Sequence, residues 1–261
     1  MTKTTRQPTD TTTHFGFERV PKAAKAGRVR EVFDAVASRY DIMNDLMSAG
    51  IHRLWKNAMV DWLAPRPDWS MVDVAGGTGD IAIRIAKRIG LTSSKLGTGG
   101  ITVCDINQTM LELGRDRAID QGALYGLDWV AADAECLPLP NMHYDAYTIA
   151  FGIRNVTDIE NALTEAYRVL KPGGRLLCLE FSHLTIPSLN KLYDAYSFAV
   201  LPRLGQAFAG EGNAYEYLAE SIRRFPNQDS LVKLMIKAGF GRVSYRNLSG
   251  GIAALHSGWR L

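Results

Sequence analysis

Met71-Val72-Asp73-Val74-Ala75-Gly76-Gly77-Thr78-Gly79-Asp80 is the stretch on which the reading of this chain turns. Met71–Ala75 is apolar around a single acid and predicts a short buried strand. Gly76-Gly77-Thr78-Gly79 predicts a turn. Asp80–Ile89 carries isoleucines at 81, 85 and 89, the spacing of one helical face. A strand that runs through a glycine turn into a helix builds a site for an anionic or polar ligand. Glycine lets the backbone approach the ligand, and the first helical turn presents unpaired N–H groups. Asp73, Gly76, Gly77, Thr78 and Gly79 are therefore the first binding candidates, the lesser alternative for Asp73 being that it only caps the loop backbone. The stretch leaves the ligand open, because Gly77-x-Gly79-x-x-Ala82 also fits a dinucleotide fingerprint ending in alanine.

The rhythm continues downstream. Ile101–Asp105 predicts a strand and Gln108–Gln121 a helix. Leu127–Ala132 and Ala146–Ala150 are strands, and a helix follows near Ile159–Leu170. Lys171-Pro172-Gly173-Gly174 is a turn into a Leu-rich, central strand at Arg175–Phe181. Strand and helix alternate as in βαβ units, which predicts a mostly parallel, doubly wound α/β sheet. Gln228–Ala238 is a helix with Gly239 as its cap. Arg242–Leu248 and Gly251–His256 are expected to close the sheet as an antiparallel hairpin turning at Gly250-Gly251. Residues 183–226 break the rhythm and are read as an inserted helical cap. Upstream, residues 1–13 are read as a disordered tail and 14–64 as a helical segment, with one domain spanning 14–261. Asp105 ends the strand after the glycine turn, where it can accept hydrogen bonds from both hydroxyls of a ribose. A nicotinamide dinucleotide and S-adenosylmethionine share that ribose, so Asp105 does not choose between them.

Composition narrows the class. The 261 residues carry a net charge of +3 with both signs mixed, and no Lys/Arg run suggests a nucleic-acid surface. Cys104, Cys136 and Cys178 are far apart and lack metal-ligand spacing. No apolar run approaches the ~20 residues that span a bilayer, and no signal or import segment is visible, so a cytoplasmic location is expected.

Further segments resemble a known group. Ala132-Asp133-Ala134-Glu135 with Leu137-Pro138, and Arg168-Val169-Leu170-Lys171-Pro172-Gly173-Gly174, resemble class I S-adenosylmethionine-dependent methyltransferases. Tyr40-Asp41-Ile42-Met43-Asn44-Asp45-Leu46-Met47-Ser48, with His52 and Trp55, resembles the first signature of the ubiquinone/menaquinone biosynthesis C-methyltransferases. Arg168–Gly174 continuing into Leu179-Glu180-Phe181-Ser182 resembles the second, and Phe151-Gly152-Ile153-Arg154-Asn155-Val156 is similar to that family too. The resemblance runs from about His14 to the C-terminus. It implies a Rossmann-like, seven-stranded sheet with its last strand antiparallel, plus N-terminal helices and an inserted cap. It implies S-adenosyl-L-methionine as cofactor, held at Thr78, Asp105, Asp133 and Ala134. Asp133 is often Asn in the family, and either side chain can accept the adenine N–H. Ala150 stands where members often carry Ser, so any hydroxyl contact there must be lost or made by the backbone.

The resemblance also implies the chemistry: methylation of a ring carbon in a polyprenylated quinol, either demethylmenaquinol or a methoxy-polyprenyl-benzoquinol. A quinol hydroxyl that loses its proton pushes electron density onto the adjacent carbon, which then attacks a methyl group in line. The enzyme must exclude water, align the reactants and manage protons. Arg154 is the first catalytic candidate, a permanent cation able to stabilise a phenolate; its other reading is a bond to the carbonyls of its own loop. Tyr40 reaches a quinol oxygen, covers the cofactor or packs in the core. His52 has the ordinary pKa of a general base, or merely satisfies a neighbour. Glu180 meets substrate or buttresses its loop. Tyr193, Tyr196, Phe198, Phe208, Tyr215 and Tyr217 line a prenyl tunnel or form core. Transient contact with the inner-membrane surface and a quinone-biosynthesis protein complex are the expected partnerships; no metal is expected.

Overall fold

The described residues begin with two short strands, β1 (Thr12–Phe15) and β2 (Glu18–Pro21), paired antiparallel. Helices α1 (Lys22–Val36) and α2 (His52–Leu63) follow. The computed structural model describes residues 11–36, 45, 48, 50–91, 99–123, 125–184 and 212–261. The succession β3 (Ser70–Val74), α3 (Asp80–Arg88), β4 (Gly100–Asp105), α4 (Gln108–Asp120) and β5 (Leu127–Ala131) builds one half of a sheet. β6 (Tyr144–Ala150), α5 (Ile159–Val169), β7 (Leu170–Phe181), α6 (Gly212–Arg224), α7 (Gln228–Lys237), β8 (Gly241–Leu248) and β9 (Ala253–Trp259) build the other.

The seven strands lie in the order β5-β4-β3-β6-β7-β9-β8. The pairs from β5 to β7 are parallel, and β9 is antiparallel to both β7 and β8. Only the last strand therefore runs against the rest. β3 reads as a nearly unbroken apolar run because both of its faces are covered. On one face Trp55, Met59 and Leu63 of α2 meet Ile81 and Ile85 of α3. On the other, Leu163 and Ala166 of α5 meet Leu231 and Met235 of α7. The chain order reverses at β3, which has β4 on one side and β6 on the other. Such a switch point opens a crevice beyond the carboxyl ends of the strands.

The predicted helices and strands of the sheet recur with ends displaced by three residues at most, except β7, which starts five residues early, at Leu170 instead of Arg175. Three local expectations need correction. Thr12 and Thr13, assigned to the disordered tail, pair with Pro21 and Val20, and the start of the segment read as helical is instead a hairpin that turns at Gly16 (φ +57). Lys171-Pro172-Gly173-Gly174 does not separate helix from strand. α5 runs directly into β7, and these residues bulge within it: Leu170 faces Tyr144 and Arg175 faces Ala146. The bulge binds the C-terminus, with Gly173 N–H on the Arg260 carbonyl at 2.6 Å and Arg260 N–H on the Gly174 carbonyl at 2.9 Å. Gly250-Gly251 belongs to a 3-10 turn, Ser249–Gly251, not a two-residue hairpin turn. Residues 1–10 and most of the cap, 185–211 with Tyr193, Tyr196, Phe198 and Phe208, lie outside the described residues. In its described helix, α6, Tyr215 and Leu218 pack in the core, and Tyr217 stacks on Phe15 at 4.2 Å. Among the described residues no helix is long and apolar enough to cross a membrane.

Candidate active site

The crevice at the switch point is an open cleft walled by α1 and by the carboxyl ends of the strands, the place where open α/β sheets bind small molecules. Ala26, Val29, Arg30 and Phe33 of α1 line one wall. The others come from the strand ends. Asp73, Gly76, Gly77, Thr78, Asp105, Asp133, Ala134 and Ala150, all predicted from sequence, line it together.

The glycine turn is held in an uncommon backbone shape. Ala75, Gly77 and Gly79 have φ of 51°, 52° and 73°. At Ala75 this conformation costs about 1–2 kcal/mol for an L-residue with a Cβ. Phe151, at the end of neighbouring β6, is also left-handed, with φ of 57°. Strained residues that flank one cleft from adjacent strands are characteristic of binding and catalytic sites. Gly79 corrects an expectation: it does not line the cleft. A Cβ there would lie 2.5 Å from the Trp129 ring, so glycine is needed to seat the turn on β5.

Asp105 joins that turn to the next strand. Its Oδ2 accepts the Gly77 N–H at 2.8 Å and its Oδ1 the Asn107 N–H at 2.8 Å. The two oxygens offer about four acceptor directions, and with the Ile106 N–H also drawn to the carboxylate one is left for a ligand hydroxyl. Burial pushes this carboxyl above its usual range, against the pull of those N–H groups. Asn107 caps α4, accepting the Met110 N–H at 3.0 Å, and donates to Asp34 on α1 at 2.7 Å. Asp133 closes its own turn by accepting the Glu135 N–H at 2.9 Å.

Asp73 lies beneath the turn and is 1 % exposed. Its Oδ1 accepts the Thr148 hydroxyl at 2.8 Å, while its buried Oδ2 has no partner. Burial drives its pKa to about 7; the Thr148 bond and then the backbone N–H of Ala82 oppose the rise, and Asp80 adds to it. Asp80 goes the other way. Burial would raise it, but Lys56 at 2.8 Å and Arg84 at 2.9 Å outweigh that and hold it at about 2. Lys56, 4 % exposed, also lines the cleft. Sequence reasoning missed it. The signal was a lysine on the apolar face that His52, Met59, Val60 and Leu63 define on one helix.

These residues fit S-adenosylmethionine better than a dinucleotide. The unpartnered Asp73 oxygen would lie 3.0 Å from a Cβ on Gly76, so it sits against the glycine turn. A pyrophosphate placed there would meet a buried carboxylate, whereas an ammonium would satisfy it.

Of the three predicted catalytic residues, neither of the two that are described, His52 and Arg154, lines this cleft. Tyr40, with Asp41, lies outside the described residues. His52 lines neither described cleft and is buried, its Nδ1 2.9 Å from Ser48 Oγ and 3.7 Å from Asp45, the neighbour-satisfying alternative of its two readings. Burial, then the charge of Lys56, lowers its pKa. Arg154 bonds its own loop and Glu180. One Nη1 reaches the Phe151 carbonyl and, at 2.8 Å, Glu180 Oε1, while buried Nε has no partner. Glu180, fully buried, also accepts the Arg154 and Phe181 N–H groups at 3.3 and 2.9 Å, so it buttresses the loop. Arg154 lines a second cleft, with Lys25 and Tyr217, that shares the wall Val156-Thr157 with the first.

Residues 21–260 match the model of the ubiE/COQ5 methyltransferase family. A protein of Ruegeria sp. described as ubiquinone/menaquinone biosynthesis C-methyltransferase UbiE is 57% identical over 255 residues, covering 98% of this chain and 99% of its own. A Brucella abortus protein of the same description is 57% identical over 249 residues, 95% of this chain and 90% of its own. Among solved structures, a SAM-dependent methyltransferase from Thermotoga maritima superposes with TM-score 0.59 at 22% identity, covering 88% of this chain and 99% of its own. The [4+2]-cyclase SpnF reaches 0.65 at 16%, covering 90% and 96%. These two likenesses speak for the fold alone, and a cyclase among them shows that the fold does not choose the reaction.

Proposed function

The chain belongs to the ubiE/COQ5 methyltransferase family, and from that premise we propose that it methylates a ring carbon of a polyprenylated quinol, as a step of ubiquinone or menaquinone biosynthesis. It is an S-adenosyl-L-methionine-dependent C-methyltransferase. The observation that carries the reading is one turn flanked by two unlike carboxylates: Asp105 with a spare acceptor direction and Asp73 with an unpartnered oxygen.

When bound, the cofactor supplies a sulfonium methyl. Asp105 then takes a ribose hydroxyl, Asp133 and Ala134 the adenine edge, and Asp73 the ammonium. Ala150 brings no hydroxyl. Val29 and Phe33 on one side and Phe151 on the other keep water from the reacting carbon. Arg154 holds the Ile153–Asn155 turn in place, and its free Nε offers a donor to a quinolate oxygen reaching across from the second cleft. Tyr40 is assigned to cover the cofactor. The substrate carries a prenyl chain, so the protein works from the cytoplasm against a membrane surface.

The test is transfer of a labelled methyl group to reduced demethylmenaquinol and to the methoxy-polyprenyl-benzoquinol, beside the quinone profile of cells lacking the protein. Demethylated quinone should accumulate, and the oxidised quinones should accept nothing. An unchanged profile with no transfer to either quinol would sink the reading.

Asp73 adds a pH signature. Its pKa of about 7 exceeds the unfolded value, so protonated Asp73 favours the fold below that value, and the contribution is lost as pH rises towards 7. Cofactor binding has the opposite sign, because an ammonium needs the ionised carboxylate. Affinity for S-adenosylhomocysteine should fall by up to roughly tenfold from pH 8 to pH 6, and the dependence should vanish in Asp73→Asn. Calorimetry at the two pH values checks this, and a flat wild-type profile removes Asp73 from the ammonium site.

A further inference from the structure

We propose that Lys56 binds the carboxylate of the cofactor's methionine half, so that α2 and β3 together recognise that end as a zwitterion. The inference rests on the cofactor reading above. Lys56 is a buried ammonium with three donors, and one acceptor is assigned to it, Asp80 Oδ2 at 2.8 Å. That carboxylate is shared: Arg84 binds its Oδ1 through Nε at 2.9 Å and reaches its Oδ2 through Nη2 at 3.5 Å. One acid therefore serves two cations, and the trio keeps one positive charge over, balanced only by the charge of Asp73, which the ammonium of the same ligand would claim. Removing an ammonium from water costs several kcal/mol, and half of a carboxylate compensates it poorly. A second anion at the cleft would complete it.

The position suits that anion. Lys56 lines the cleft together with Asp73 and Asp80, at the glycine-turn end. Its Nζ lies 6.0 Å from the centre of the Phe151 ring, so an apolar face rather than water borders the charge there. Asp73 presents its free oxygen to the same end of the cleft from β3. A cation from the helix and an anion from the strand match the two charges of an α-amino acid. A lysine needed only to hold the first turn of α3 would have no reason to line the cleft. The ends of the cofactor are thus separated by charge: Asp105 and Asp133 at the nucleoside, Lys56 and Asp73 at the amino acid.

Calorimetry on the full chain tests this with three probes. They are S-adenosylhomocysteine, its decarboxylated analogue, and 5′-methylthioadenosine, which lacks the amino-acid half. Wild type should lose at least tenfold in affinity when the carboxylate alone is removed. Lys56→Met should bind S-adenosylhomocysteine at least tenfold more weakly, yet bind the decarboxylated analogue and methylthioadenosine within twofold of wild type. Lys56→Arg should restore most of the loss. Equal weakening of all three probes in Lys56→Met would assign Lys56 to shaping the cleft and overturn the proposal. So would a wild type that holds the decarboxylated analogue as tightly as its parent, a comparison that needs no variant to fold. A wild type that binds none of the three overturns the cofactor reading itself, and this one with it.

Discussion

Arg154→Met will cost the fold about 3–5 kcal/mol, the scale of breaking a buried ion pair from one side. The side chains of Arg154 and Glu180 are 3% and 0% exposed and meet at 2.8 Å. Removing the guanidinium leaves a carboxylate with no water and only the N–H groups of Arg154 and Phe181 to hold it. Burial already pushes Glu180 above the usual carboxylate range, and Arg154 is the main force pulling it back. In the variant Glu180 will take up a proton, and the Phe151 carbonyl will lose its donor. Replacing both residues, Arg154→Met with Glu180→Gln, should recover most of the stability, because no charge is then buried alone. Urea denaturation of the single and double variants measures this, and a single-variant loss below about 1 kcal/mol would show that the pair is not the loop's anchor. The double variant also separates structure from chemistry. If Nε stabilises a quinolate, the double variant should bind S-adenosylhomocysteine normally and turn over slowly. Near-normal turnover would remove Arg154 from the mechanism and leave it as the support of its turn.

Much of this architecture was legible because local signals agreed with the global fold. Ile81, Ile85 and Ile89 on one face, glycines before them and a buried strand before those specify β3-turn-α3 without help from distant residues. The N-terminal hairpin was not legible: its threonines do not alternate with apolar residues, and Gly16 is an isolated turn signal. Lys171–Gly174 reads as a stop in any local view. It becomes a bulge only because the far C-terminus, Arg260, arrives to pair with it. The site divides in the same way. Residues on the strand ends and turn were found because spacing places them. Lys56 was missed because it reaches the cleft from α2, at a position reserved for apolar packing. Arg154 was found, but sequence cannot tell to which side a 3-10 turn throws its side chain, and it faces the second cleft. The choice between dinucleotide and S-adenosylmethionine, open in the glycine pattern, was made in the sequence by Asp133-Ala134 and the Arg168–Gly174 segment, and the buried Asp73 with one unpartnered oxygen agrees with it.

Asp105→Ala should weaken S-adenosylhomocysteine binding by at least the roughly 1.5–3 kcal/mol of a hydrogen bond to a charged group, or about 10- to 150-fold. The geometry argues for the upper end. Asp105 would bind the ribose and also holds the Gly77 and Asn107 N–H groups. Its loss therefore removes a ligand contact and loosens the turn that carries Asp73's neighbours. The fold itself should tolerate the change, since burial disfavours the charge on Asp105 and an alanine relieves that cost. Asp105→Asn separates the two roles. Its amide keeps one acceptor oxygen but sets an NH2 group against a second N–H, so either the turn or the ribose loses its partner. Comparing S-adenosylhomocysteine with its 2′-deoxyribose analogue decides which. Wild type should prefer the parent by about tenfold or more, the low end of that hydrogen-bond scale. If Asp105 reads the ribose, the preference will collapse in both variants, because the group that distinguishes the two ligands is gone. If it survives while overall affinity falls, Asp105 acts only through the backbone of the glycine turn, and the hydroxyls are read elsewhere.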